Sequence, residues 1–156
     1  MQQLLLFLLF SFSLAANAQS FNENKTAFAN FIKRMYTATP FEGVKIIDDY
    51  DHQYLVSVVS LEPAKYTNQS IMNRVAQVKA QSQANTFING ASITMDFVIK
   101  TSEKTHNDTT TTIIETLESI KQNSLGFTKG LELLNNFNNQ DLSRMVYVYY
   151  RELNKP

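Results

Sequence analysis

The chain has no cysteine and no tryptophan, and only three prolines and four glycines in 156 residues. Each scarcity excludes something. Without cysteine there is no disulfide, no thiol nucleophile and no lipid attached through a cysteine after a leader. The fold must therefore be held by packing alone. Four dispersed glycines are too few for a loop that cradles phosphate. Neither sign of charge is in excess: 14 Lys and Arg balance 14 Asp and Glu, for a formal net charge of zero. A neutral chain lacks the basic stripe of a nucleic-acid binder. The same balance argues against adhesion to anionic lipid.

Long hydrophobic runs are confined to the first eighteen residues, MQQLLLFLLFSFSLAANA. The core from Leu4 to Leu14 carries no charge and is shorter than the about 20 apolar residues that span a bilayer. Small residues flank position 17, giving an A-x-A site that predicts cleavage between Ala18 and Gln19. The segment before the core, Met1-Gln2-Gln3, has no Lys or Arg, so the amino terminus is its only positive charge. Residues 1–18 therefore read as a secretory signal peptide. The expected product is exported to the periplasm or outside the cell. It is soluble or peripherally associated with the envelope, without a stable membrane anchor. Residues 19–156, 138 in all, suit a single domain.

In the mature part, Phe21 to Tyr36 predicts a helix. Ala27, Phe28, Phe31, Ile32 and Met35 fall on one stripe, Asn22 is a suitable cap, and Pro40 closes the segment. Gly43 to Leu61 predicts a β-hairpin with Asp48 to Gln53 as its connection. Its second strand is apolar on both faces, with Tyr54, Val56, Val58 and Ser60 on one and Leu55, Ser57, Val59 and Leu61 on the other. Such a strand belongs inside a sheet. Asn68 to Ile88 predicts the second helix, with Asn89-Gly90 supplying a left-handed stop. From Ala91 the period changes to two. Ile93, Met95, Phe97 and Ile99 alternate, and Thr101 to Thr111 is a polar loop. Thr112 to Ile120 fits strand or helix, and its threonines favour strand. Phe127 to Phe137 and Arg144 to Leu153 alternate as further strands. The expected order is α-ββ-α-ββββ: an α+β two-layer sandwich, its sheet mostly antiparallel, with two helices on one face.

Candidate chemistry is sparse. His52 and His106 lie in separate predicted loops with no ligand spacing between them. Asp48, Asp49 and Asp51 cluster with His52, but lack the glycine and terminal glutamate of a calcium loop. Turns favour aspartate for local hydrogen bonding in any case. No G-x-S-x-G elbow is present. Tyr147, Tyr149 and Tyr150, with Arg151 and Phe127, would make either a stacking surface for sugar or ordinary sheet packing. Asn24-Lys25-Thr26, Asn68-Gln69-Ser70 and Asn107-Asp108-Thr109 match the glycosylation pattern, which an Asn-rich chain produces by chance. No catalytic, cofactor or metal residue is assigned.

One further pattern runs through the second half. A helix with Val75-Ala76-Gln77-Val78-Lys79-Ala80 leads into Phe87-Ile88-Asn89-Gly90 and a strand over 92–99. After a polar loop come Ser124-Leu125-Gly126-Phe127-Thr128-Lys129-Gly130-Leu131-Glu132 and the terminal strand Val146-Tyr147-Val148-Tyr149-Tyr150-Arg151. Over about 70–152 this resembles the Lpp-twenty-type family of small bacterial envelope lipoproteins, and is similar to the N-terminal domain of flagellar assembly protein T. The resemblance implies a small α/β sandwich in the cell envelope with no catalytic residues. This chain departs from it in lacking the cysteine that carries the lipid. The expectation is a non-enzymatic envelope protein, without cofactor, acting on an envelope protein partner or as a homo-oligomer. The alternative is a small-ligand or glycan-binding module built on the Tyr-rich terminal strand.

Overall fold

A computed structural model describes residues 25–49, 52–90, 98–100 and 109–153. Both sides of the expected cleavage site, Ala18 and Gln19, lie outside this set. So do Asp51, His106, most of the predicted strand at 92–99 and residues 101–108 of the predicted loop at 101–111, whose last three residues are helical. The chain forms two compact units, 1–40 and 41–156. Within the first, a helix α1 covers 25–38 and buries Ala29, Ile32 and Tyr36. Thr37 Oγ1 donates to the Lys33 carbonyl at 2.9 Å near its end.

The second unit is built on a five-stranded sheet. β1 (Gly43–Asp49) and β2 (His52–Leu61) form the predicted hairpin, but Asp48, Asp49, His52 and Gln53 pair within its strands rather than forming its connection. Gly43 opens β1 at φ +105, a conformation that a side chain would strain. A short 3₁₀ turn (Pro63–Lys65) leads to α2 (Gln69–Gly90). Then follow β3 (Val98–Lys100), α3 (Thr109–Lys121), α4 (Ser124–Lys129), β4 (Glu132–Asn138) and β5 (Met145–Glu152). The strands lie in the order β3-β1-β2-β5-β4. Three pairings are antiparallel, and the fourth, β1 with β3, is parallel.

The α+β class and the internal position of β2 are as the sequence predicts. The element order is not, and two segments are corrected. Residues 112–120 lie in α3 rather than a strand. Ile113 and Leu117, four residues apart, are both buried. Burying each side chain is worth about 1.5–3 kcal/mol, whereas threonine lowers helix propensity by less than ~0.7 kcal/mol per residue. Packing therefore overrides propensity. Residues 127–137 divide into the end of α4 and β4. Asn123 starts α4 by accepting a hydrogen bond from the Gly126 amide on its side-chain oxygen at 3.2 Å. Gly90 is the last residue of α2 and is not left-handed; among the described glycines only Gly43 has positive φ.

The core fills the space between one sheet face and the helices α2, α3 and α4, so that layer holds more than the two helices expected. Val44, Ile46, Leu55, Val59, Leu61, Tyr147 and Tyr149 face it from the sheet. Every fourth residue of α2 answers them: Met72, Ala76, Ala80, Ala84 and Ile88. The three alanines are fully buried. Their small side chains let α2 approach the sheet closely enough for Ser57 Oγ to share its proton between the Ala80 carbonyl (3.2 Å) and Gln83 Oε1 (3.0 Å). Ile47, Val56, Val58, Val146 and Val148 belong to the other face and are also closed to solvent.

Candidate functional site

The polar side chains that the sequence singles out hold elements together. Tyr147 is wholly buried on the core face of β5. Its hydroxyl accepts from Gln69 Nε2 (2.7 Å) and donates to Asn73 Oδ1 (2.8 Å), tying β5 to the first turns of α2. Burial raises its pKa, and the Gln69 bond opposes that shift. Burial also raises the pKa of Tyr149, whose hydroxyl reaches the Asn73 carbonyl at 3.5 Å. Neither ring is available for stacking on a ligand. Asn68, the start of one glycosylation-type triplet, caps α2 by accepting from the Ile71 amide at 3.0 Å.

Arg151 lies over the Phe127 ring, 4.4 Å from its centroid, and donates to the carbonyls of Gly126 and Phe127. Gly130 sits against its guanidinium, where a Cβ would collide with Nη1. Arg144 does similar work at the other end of β5. It donates to Ser60 Oγ (2.5 Å), the Ser60 carbonyl (2.8 Å), Glu62 (3.2 Å) and Glu42 (3.3 Å). Lys65 and then Arg144 hold the Glu62 carboxyl below its ordinary range.

The acidic hairpin end is partly described. Asp48 accepts from Gln53 Nε2 at 3.3 Å, and Asp49 opposes His52 across the β1–β2 ladder. His52 Nδ1 lies 2.7 Å from Glu152 Oε1. His52 stacks on Tyr54, and Tyr54 meets Tyr150, each pair with centroids 6.1 Å apart. This row is half-exposed and lies on the face opposite Tyr147 and Tyr149. Burial, then the charges of Glu152 and Asp49, raise the Tyr54 pKa. Among the described residues no three His, Asp or Glu side chains converge to hold a metal.

A different surface stands out from the backbone. β4 ends the sheet, and among the described strands none pairs with its outer edge. The Asn139 amide donates to the Arg144 carbonyl at 3.0 Å. Bonded pairs alternate along an antiparallel ladder, so Phe137 and Asn135 turn their peptide groups toward β5. Asn136 and Asn138 turn theirs away from it. The segment 132–139 reads Glu-Leu-Leu-Asn-Asn-Phe-Asn-Asn, with Glu132 its only charge. Leu133 is 44 % exposed. The strand has no lysine or proline, two of the usual guards of a sheet edge. It has one irregularity, between Leu133 and Asn135. Sequence reading missed this edge because strand order cannot be read from periodicity. The run of asparagines bearing one charge was the available signal.

No helix among the described residues is long and apolar enough to cross a membrane. No family model matches the chain, no curated protein matches it, and no solved structure matches its fold.

Proposed function

We propose that this chain is an exported, non-enzymatic envelope protein that works by protein–protein contact, with the outer edge of β4 as the contact element. The outward peptide groups of Asn136 and Asn138, beside exposed Leu133 on a nearly uncharged strand, carry this reading. An edge of that kind accepts an added strand through main-chain hydrogen bonds, while flanking side chains supply selectivity. Export rests on the leader-like residues 1–18, and the envelope setting on the resemblance to the Lpp-twenty-type family. The balanced charge of the chain suits contact with protein better than with nucleic acid.

A photo-crosslinking residue placed at 136 in living cells tests the contact, with position 78 on the exposed side of α2 as control. An adduct at 136 and none at 78 is expected; no adduct at 136 overturns the reading. Sequencing the mature N-terminus tests export. Gln19 is the expected first residue, and an intact Met1 overturns it.

A second reading has one observation in its favour. The half-exposed row of His52, Tyr54 and Tyr150 offers ring faces on which a sugar could stack. Tyrosine fluorescence during titration with oligosaccharides tests it; an unchanged signal up to millimolar sugar removes it.

A further inference from the structure

We infer that the β4 edge pairs with the β4 edge of a second copy of this chain, antiparallel about a two-fold axis at Asn136. The inference rests on the edge reading above and names its occupant. Three observations favour a second copy over a foreign strand.

The first is charge. With the axis at Asn136, Glu132 of one chain faces Gln140 of the other, and no like charges oppose across the interface. The second is the side-chain chemistry. Asparagine carries both a donor and an acceptor, so the Asn136 side chain complements its own copy, which it faces across the axis. A foreign strand would have to supply that match independently. The third is closure. With the axis at Asn136, β4 pairs with an identical β4. That pairing is isologous and closes as a dimer, whereas β4-to-β3 pairing would propagate as a fibre. The backbone geometry agrees, because Asn136 is a residue whose peptide groups turn away from β5.

Strand pairing alone buries less than a standard interface, so the dimer is weak, with a dissociation constant on the order of micromolar or above. The test is sedimentation of the purified mature chain across a concentration series, with variants at the axis. The wild type is expected to double its mass as concentration rises to about ten times that constant; a monomer throughout overturns the inference. Asn136→Pro removes one outward N–H, a substitution tolerated on the solvent side of an edge strand. A folded Asn136→Pro chain that stays monomeric supports the inference, and one that still dimerises overturns it. If that variant does not fold, Asn136→Glu and Asn136→Lys keep the N–H and decide the matter. Each alone is expected to be monomeric, because like charges meet at the axis. Mixed one to one, they are expected to regain the doubled mass; a mixture that stays monomeric overturns the inference. A purified monomer together with an adduct to another protein at position 136 in cells would end self-pairing and leave the edge reading standing.

Discussion

Replacing Ala80 with leucine tests the closest approach between helix and sheet. Ala80 is fully buried, midway along the stripe from Met72 to Ile88. Its carbonyl takes part of the Ser57 hydroxyl bond at 3.2 Å. A leucine there adds three carbons where α2 lies nearest β2, so the helix must move out or the side chain must leave its rotamer. Overpacking of this kind costs about 1–3 kcal/mol. Displacing the Ala80 carbonyl from Ser57 adds about 1 kcal/mol. The total is about 2–4 kcal/mol, a large share of the stability of a domain this size. Urea unfolding followed by circular dichroism measures it. With a slope of about 2 kcal/mol/M, typical for a small protein in urea, the midpoint falls by about 1–2 M. Val78→Leu, at a position 65 % exposed on the same helix, is the control and shifts stability by less than about 0.5 kcal/mol. An Ala80→Leu midpoint within error of the control would refute the close approach.

Three other outcomes follow from the structure. Burial raises the pKa of Tyr147 and Tyr149, so folding favours their neutral forms; stability is full below the ordinary tyrosine value of about 10 and falls as pH rises past it. The fall should be shallower in Tyr149→Phe, and an equal slope in both proteins would contradict that origin. Gly130→Ala places a methyl group against the Arg151 guanidinium, which should leave the Phe127 ring; NMR is expected to show the Arg151 side chain losing its ring-current shift, and an unmoved resonance counts against the contact. Leu142 is 72 % exposed at φ 60, so Leu142→Asn, which suits that conformation, should raise stability by up to about 1 kcal/mol in thermal unfolding; a loss would disprove the strain.

Much of the layer structure was readable because it depends on local period. The face alternation of β2, with Leu55 and Val59 toward the helices and Val56 and Val58 away, follows from spacing two. So does the split of Tyr147 and Tyr149 from Tyr150. The α3 segment was not readable by propensity, because the threonines at 109–112 say strand while Ile113 and Leu117 need the core. The placement of β4 was hidden for another reason. Its neighbour is β5, but whether a further strand lies outside it depends on where the rest of the chain goes. Hence the side chains were legible as packing, while the β4 edge, with which no described strand pairs, was not.

The pairing of β2 with β5 sets the order in which the molecule can be completed. Tyr54 to Leu61 pair with Met145 to Glu152, so roughly ninety residues separate the two central strands. Until Met145 to Glu152 have left the ribosome, β2 has only its hairpin partner, and its Leu55–Val59 row lacks the neighbouring Tyr147 and Tyr149. Contacts this distant in sequence slow folding. A chain terminated anywhere before Met145 would leave the central strand with one side bare, and should be degraded rather than accumulate as a shortened form.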